Sequence, residues 1–396
     1  MESWKRTYWA IWFSNLITAV GMMSILPFFP SHLEELGLTD RASISVWTGV
    51  IYGAAPLFAA IASPLWGALG DRYGRRLMVV RSMVAITIFV GAMRWASGPW
   101  ELLALRAAQG CFSGFLPPSM TLVSTQAPAR EQGRIAGSLQ TGMIWGGILG
   151  PVFGELIRKQ VGVREVYLGV AILSAIAVVV VLLFAREDAT TRQVSTQRAS
   201  PLKDLRELRG NAELWSAVRL LFWVQFAVGA TNPQLELYVR ELGSSFMEPS
   251  TAYLFSVLAA ANLFALPRWG RLGDRGGHHR ALLMCTLWTG AALLLHALAP
   301  GYEVLLVARA LLGFAAAGSG PLAFGVAAAA TSADRRGGAF GVVFSARALA
   351  VAVSAMTGGW LSAWIGVRGL FLVGALLVWL QVWKDRKPAV SGASAR

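Results

Sequence analysis

Arg106, Arg309 and Arg347 stand inside long apolar runs, and Glu155 and Glu236 stand near the ends of two others. Taking a charge into a membrane is expensive, so each such side chain is a functional candidate by default. A carboxyl in such a place can alternate between a neutral and a charged form, which is the chemistry of a proton carrier. Glu236 is the first candidate: it follows Asn232-Pro233-Gln234, a polar, bent stretch from which it can face a vestibule. Glu155 is the second, and no Asp or Glu lies near the midpoint of any apolar run. Arg347 can hold an anionic or polar group, or be absorbed in an interior ion pair or carbonyl contact. Arg81 and Arg219 lie close enough to run ends to snorkel. Enzyme chemistry has no comparable candidates. There is no metal-ligand cluster, no nucleophile triad, and no glycine-rich loop that follows a strand as a phosphate cradle must. No enzyme activity, cofactor or metal is therefore expected. Cys111 and Cys285 lie in apolar runs and read as small packing residues.

The elements that must position these groups are membrane helices. Hydrophobic residues make up 55% of the 396, charged residues 14%, and mean hydropathy is +0.55. Runs long enough to span a bilayer read at 8–30, 45–66, 77–97, 100–122, 134–156, 165–185, 213–235, 251–268, 280–299, 302–326, 338–363 and 367–383. The expected fold is an all-α membrane protein with 12 transmembrane helices. The first run is too long for a signal-peptide core and is expected to stay as helix 1. Pro117-Pro118 interrupts the fourth run.

The formal net charge of +14 invites a nucleic-acid reading, but its distribution argues for orientation. With the N-terminus in the cytoplasm, 23 of the 35 Lys and Arg fall on the cytoplasmic side, 7 on the outer side and 5 within spans. That bias is the positive-inside rule and puts both termini inside. The expectation is a multi-pass protein of the inner (cytoplasmic) membrane with the lipid bilayer as its surroundings, no nucleic-acid partner, and a monomeric state.

One unit is used twice. Gly67-Ala68-Leu69-Gly70-Asp71-Arg72-Tyr73-Gly74-Arg75-Arg76 has a damaged copy in Gly270-Arg271-Leu272-Gly273-Asp274-Arg275-Gly276-Gly277, 203 residues on. Pro30 and Pro233, Arg106 and Arg309, and Gly110 and Gly313 keep the same offset. Two parallel repeats around a midplane site is the build of a secondary transporter. The expected halves are 1–185 and 213–387, joined by a cytoplasmic linker at 186–212 and followed by a tail at 388–396. The linker reads as a short amphipathic helix on the inner leaflet or as a solvated connection.

Four motifs resemble the major facilitator superfamily, and within it the twelve-helix drug:proton antiporters. Gly67 to Arg76 is similar to the family's loop 2–3 motif, and Arg106-Ala107-Ala108-Gln109-Gly110 to its helix 4 motif. Gly137, Gly146, Gly150-Pro151 and Gly154 have the spacing of the helix 5 antiporter signature. Gly21 with Pro27-Phe28-Phe29-Pro30 resembles the drug-exporter proline motif. Glu155 departs from the Gly-Gly that usually ends the helix 5 motif, and Gly276-Gly277-His278-His279 replaces Tyr73-Gly74-Arg75-Arg76 in the second half.

The resemblance implies a secondary transporter working by alternating access, with protons and a small molecule as its partners. Loop 2–3 would latch the halves on the cytoplasmic side, through Gly67, Asp71 and Arg75, with Glu131 as a third charge. Asp71 can also cap a helix N-terminus; the arginines can equally be topogenic. Gly146 and Gly150, one turn apart, let two helices approach closely, and Pro151 can kink the helix. In the family that face packs against the other half. Arg106 would serve proton coupling, perhaps by tuning a nearby acid, while Arg309 is as readily structural. The substrate path would draw Asn15, Thr18, Tyr52, Gln140, Met143 and Trp145 from the first half. From the second it would draw Trp223, Gln225, Phe226, Asn262, Ser319, Phe344, Ser345 and Arg347. This mostly apolar and aromatic set suits amphipathic or lipophilic compounds. Two functions follow: proton-coupled efflux of drug-like amphiphiles, or carriage of a defined metabolite such as a sugar, an organic anion or a lysolipid, with or without protons.

Overall fold

The computed structural model describes residues 3–128, 131–187, 210–242, 248, 250–332 and 335–386. The expected linker helix and the tail fall outside the described residues. Everything regular among the described residues is helical. In the first half run α1 (Ser3–Ile25), α2 (Phe29–Glu35), α3 (Arg41–Tyr73), α4 (Arg75–Ala92), α5 (Pro99–Phe112), α6 (Leu116–Ser124), α7 (Gln132–Val161) and α8 (Val163–Phe184). The second half holds α9 (Ala212–Thr231), α10 (Leu235–Leu242), α11 (Thr251–Gly276), α12 (His278–Ala297), α13 (Tyr302–Ala316), α14 (Ser319–Ala329) and α15 (Arg336–Arg386).

Nine helical stretches among the described residues are long and apolar enough to cross a membrane. The last, Gly338–Asp385, contains two of the expected spans, separated where Gly366 takes φ 74°. Only glycine adopts that conformation cheaply. The fourth expected span is broken in two between Phe112 and Leu116, just before Pro117-Pro118. The fourth and the glycine-rich fifth expected spans are not among the nine.

Local chemistry sets the ends. Asp40 caps α3 by accepting from the Ser43 N–H at 2.8 Å and its hydroxyl at 2.6 Å, and these bonds hold its carboxyl below the usual carboxylate range. Asn211 caps α9 through the Leu214 N–H at 3.0 Å. The duplication is visible in the backbone: Gly74 (φ 101°) and Gly277 (φ 88°), 203 residues apart, make the same reversal.

The core is divided like the sequence. One buried apolar cluster draws on residues from Ala10 to Ala185, with Leu237 joining from beyond. Two others draw on Leu214 to Val378. The helices that join the two sets are α3 against α15 and α7 against α11. Their close approach lies toward one face, called here the far face, which carries α2, α10 and the α7–α8 turn. Gly49 and Gly53 of α3 lie against the backbone of Ala352, Ala355 and Gly359. Gly147 of α7 lies against Ala259, and Ser256 donates to the Ile148 carbonyl at 2.7 Å. The opposite face, rich in Arg, carries the α3–α4 turn and the start of α9. There Ala60, Ile61, Gly67, Gly137, Gln140, Phe264 and Phe344 are exposed, and the halves stand apart.

Candidate functional site

Glu236 begins the site because its surroundings are the least expected. It lies in the first turn of α10, after the 3₁₀ turn Asn232–Gln234. Its carboxylate is buried and reaches the other half: it accepts from the Ser31 N–H at 3.2 Å and from the Ser31 hydroxyl. Arg240, one helical turn on, donates to it at 2.8 Å. The same guanidinium reaches Glu34 at 2.5 Å and the Ser31 hydroxyl at 3.0 Å. Arg41 pairs with Glu241, and Lys159 with Glu248 at 2.5 Å. Glu34, Glu241 and Glu248 therefore do not act simply as solvated residues; each ties one half to the other.

The two candidate acids meet. Glu155 is buried and held by Arg158 through two bonds of 2.9 Å. Glu155, Arg158, Glu236, Arg240, Ser31 and Ser250 line one cavity of about 140 Å³ at the far-face junction. The open vestibule expected beside Glu236 is closed, and a small polar pocket takes its place. Beneath it Ser45 of α3 donates to the Gln234 carboxamide at 2.6 Å and lies 2.5 Å from the Ser362 hydroxyl of α15. Gln234 returns a bond to the Ser45 carbonyl at 3.2 Å. Arg240 and Arg158 were legible as i+4 and i+3 partners of the acids; Ser31, Ser45 and Ser362 carry no such signal.

The candidate substrate residues divide into three groups. Gln140, Trp145, Phe344, Ser345 and Arg347 are exposed toward the open side, and Tyr52, Met143, Trp223 and Asn262 are half-buried. Gln225 donates to Ser319 at 3.1 Å, and Arg347 lies so near that a β-carbon on Gly320 would touch it at 3.8 Å. So α9, α14 and α15 bring Gln225, Ser319 and Arg347 to one place. Asn15 and Thr18 are fully buried. Asn15 accepts from Ser119 at 3.0 Å and ties α1 to α6 instead of lining open space. Phe226 lines an apolar groove of about 560 Å³ with Met356, Trp360 and Trp364, on the perimeter where both tryptophans are exposed.

A model of the major facilitator superfamily matches residues 11–265 and 226–389. The chain belongs to the major facilitator superfamily. Superfamily membership makes it a membrane transporter of small molecules and not an enzyme. Multidrug resistance protein MdtG of Proteus mirabilis is 36% identical over 320 residues, 79% of this chain and 78% of that one. The protein of the same name in Escherichia fergusonii is 31% identical, with 98% of each chain covered. Among solved structures, a bacterial homolog of the human lysosomal transporter Spinster, inward-facing and occupied, has a TM-score of 0.78 at 14% identity, covering 95% of this chain and 94% of that one. The nucleoside transporter NupG has a TM-score of 0.75 at 14% identity, covering 97% and 98%. Both share the superfamily fold.

Two superfamily motifs sit differently from expectation. The face of α7 that carries Gly146, Gly150 and Gly154 packs on α1 of its own half, against Ala19, Val20, Met23 and Ser24. The neighbouring face, with Gly147, meets the other half. Pro151 is buried inside the continuous α7. Gly150→Leu would drive a side chain into the Val20 carbonyl and Met23, an overpacking that costs about 1–3 kcal/mol. Thermal unfolding of the purified variant is expected to fall by several degrees. An unchanged melting temperature would remove the packing role.

The loop 2–3 motif also reassigns its parts. Asp71 lies in the last turn of α3, not at the start of α4; its side chain is outside the described residues. The cap of α4 comes from Glu187, whose carboxylate accepts from the Arg75 N–H at 2.7 Å and the Arg76 N–H at 2.9 Å. Gly74 makes the reversal, and the Arg75 guanidinium folds beside Gly70. Gly67 faces open space, and Glu131 is half-buried just before α7. Arg219 pairs with Asp385 and Arg81 stacks 3.6 Å from the Trp66 ring, so neither simply snorkels. Glu187→Ala is expected to destabilise the protein by about 1 kcal/mol, the usual worth of a cap. Chemical denaturation would check it, and no loss would assign the cap to water.

Proposed function

We propose that the chain exports amphipathic or lipophilic compounds in exchange for protons, by alternating access. The observation that carries this is the buried Glu236 carboxylate, which bonds Ser31 of the opposite half and Arg240 of its own. A proton on that carboxylate removes its ionic hold on Arg240, so occupancy by a proton and closure of the far face are linked. Glu155, across the same small pocket, is the second acid, and Arg106 the cationic neighbour in coupling. The substrate class draws on the names of the relatives and on the exposed Trp145 and Phe344.

In this reading residues 1–185 and 213–387 are the moving halves of a twelve-span monomer. The Arg-rich face is cytoplasmic in the inner membrane, as the positive-inside rule requires. Asp71, Arg75 and Glu131 latch that face when the far face opens. Gly67, Gly146, Gly150 and Pro151 serve that motion. Residues 188–209 form the connecting strap. A carrier for one defined metabolite is the second reading. It is favoured by Arg347, exposed on the open side with no hydrogen-bond or ion-pair partner among the described residues.

Everted membrane vesicles carrying a proton gradient separate the two. Lipophilic cations, neutral drugs and anionic metabolites would be added in turn while lumenal pH is followed. Proton release with several unrelated amphiphiles that compete with one another is expected. Release with a single metabolite would favour the second reading, and none with any compound would overturn proton coupling.

A further inference from the structure

Two guanidiniums buried between the helices lack a counter-charge. Arg106 is 3% exposed and Arg309 is fully buried, and among the described residues neither pairs with a carboxylate. They hold equivalent positions in the two repeats, and so do their neighbours. Arg106 lies 5.3 Å from the Phe29 ring. Arg309 donates to the Asn232 carboxamide at 2.5 Å and lies 5.6 Å from the Phe255 ring. Asn232 stands 203 residues after Phe29, and Phe255 stands 203 after Tyr52. The frame around the first arginine is thus rebuilt around the second, and neither copy includes an acid. Tyr52, half-buried on α3, lies in the electrostatic field of both guanidiniums.

The unsatisfied atoms all have one sign. Arg106 Nε, Gln109 Nε2, Arg309 Nε and Arg309 Nη1 are buried without partners, and every one is a donor. Gln109 spends its oxygen on Arg106 at 2.7 Å, which leaves only its amide hydrogens to offer. Arginine does not shed its proton in proteins, and a buried charge without a partner is costly. A neutral ligand would meet the donors but not the charge, and a cation would be repelled. An oxyanion meets both, and the guanidinium fork suits its geometry.

We infer that Arg106 and Arg309, on either side of Tyr52, form a site for the carboxylate or phosphonate head of an amphiphilic substrate. The rings of Phe29 and Phe255 flank it with apolar surface. This rests on the reading of the chain as an exporter of amphiphiles, and it names the acidic members of that class as substrates.

Equilibrium binding to purified protein in neutral detergent tests the site without requiring export. The probes are a dansylated long-chain alkanoate and a dansylated alkylamine of equal length. The acid is expected to bind at least tenfold more tightly than the amine. Arg106→Met and Arg309→Met are expected to remove that preference and leave amine binding unchanged. Where a Met variant does not fold, Arg106→Lys and Arg309→Lys keep the charge and lose the fork, and acid binding is expected to fall severalfold. Equal binding of the two probes by the unaltered protein, or Lys variants that bind the acid unchanged, would overturn the site. Displacement of the acid by millimolar inorganic phosphate would assign the site to a resident small anion and overturn the substrate role. Acid binding intact with no proton-linked export of any compound would instead leave the site standing and fell the exporter reading.

Discussion

Glu236→Gln is expected to lower proton-driven transport about tenfold or more, while exchange of substrate across the membrane without a gradient is retained. The carboxamide keeps the shape of the side chain and can still accept from the Ser31 N–H, 3.2 Å away in the native protein. Arg240 keeps its second partner, Glu34, at 2.5 Å. What is lost is the change of charge. An intramembrane carboxyl that cycles between neutral and charged forms alters the free energy of every state in which its partners differ. Here those partners lie on both halves, so its charge is felt when the far face opens and closes. The measurement is a pair of assays in proteoliposomes: uphill transport driven by a pH gradient, and counterflow at uniform pH. The native protein should show counterflow that varies with pH, and the Gln variant a flat profile. Equal loss of both activities would mean that Glu236 only holds the fold together, and equal retention would hand coupling to Glu155 or elsewhere.

A disulfide between α3 and α15 is expected to stop transport reversibly. The Ser45 and Ser362 hydroxyls lie 2.5 Å apart and share Gln234 and the Gly359 carbonyl as neighbours. A sulfur–sulfur bond is about 2.05 Å long, so Ser45→Cys with Ser362→Cys brings the two sulfurs into bonding range with little movement. The free thiols Cys111 and Cys285 would first be replaced by Ala. Around this point Gly49 lies against the backbone of Gly359 and Ala355, so two backbones meet with no side chain between them. Alternating access requires that contact to part. Oxidation should therefore reduce transport roughly tenfold or more, and a reductant should restore it; either single Cys variant should respond to neither. Efficient cross-linking with full activity would mean that α3 and α15 do not separate, and would sink the alternating-access reading on this face.

Much of the fold was readable because its signals are local. The glycine turn at Gly74, the proline break before Leu116 and the apolar runs each depend on a few neighbouring residues. The 203-residue offset carried the rest, since it tied Arg106 to Arg309 before any contact was known. The site was less legible. Ser31 and Glu236 are 205 residues apart, and nothing periodic links them. Glu187 lies beyond the last apolar run of the first half, where no motif marks it as the cap of α4. The helix 5 glycines were recognised as a close-packing face, but the neighbour they approach is α1 of the same half.

The sequence by itself determined that the chain is built of membrane helices in two copies of one unit, and to which family it belongs. Apolar length, positive-φ glycines and motif spacing are properties of short segments, and they survive being read in one dimension. Only the tertiary structure decided which face of each helix meets which neighbour. It set α7 against α1 with one row of glycines and against α11 with the next. It gathered Glu155 and Glu236 into one pocket, and left Arg106 and Arg309 without an acid. In a soluble helix the apolar stripe points to the core. In a membrane helix lipid and core are equally apolar, so hydropathy does not distinguish the buried face, and small residues and polar partners choose it. Those choices are made between helices far apart in the chain.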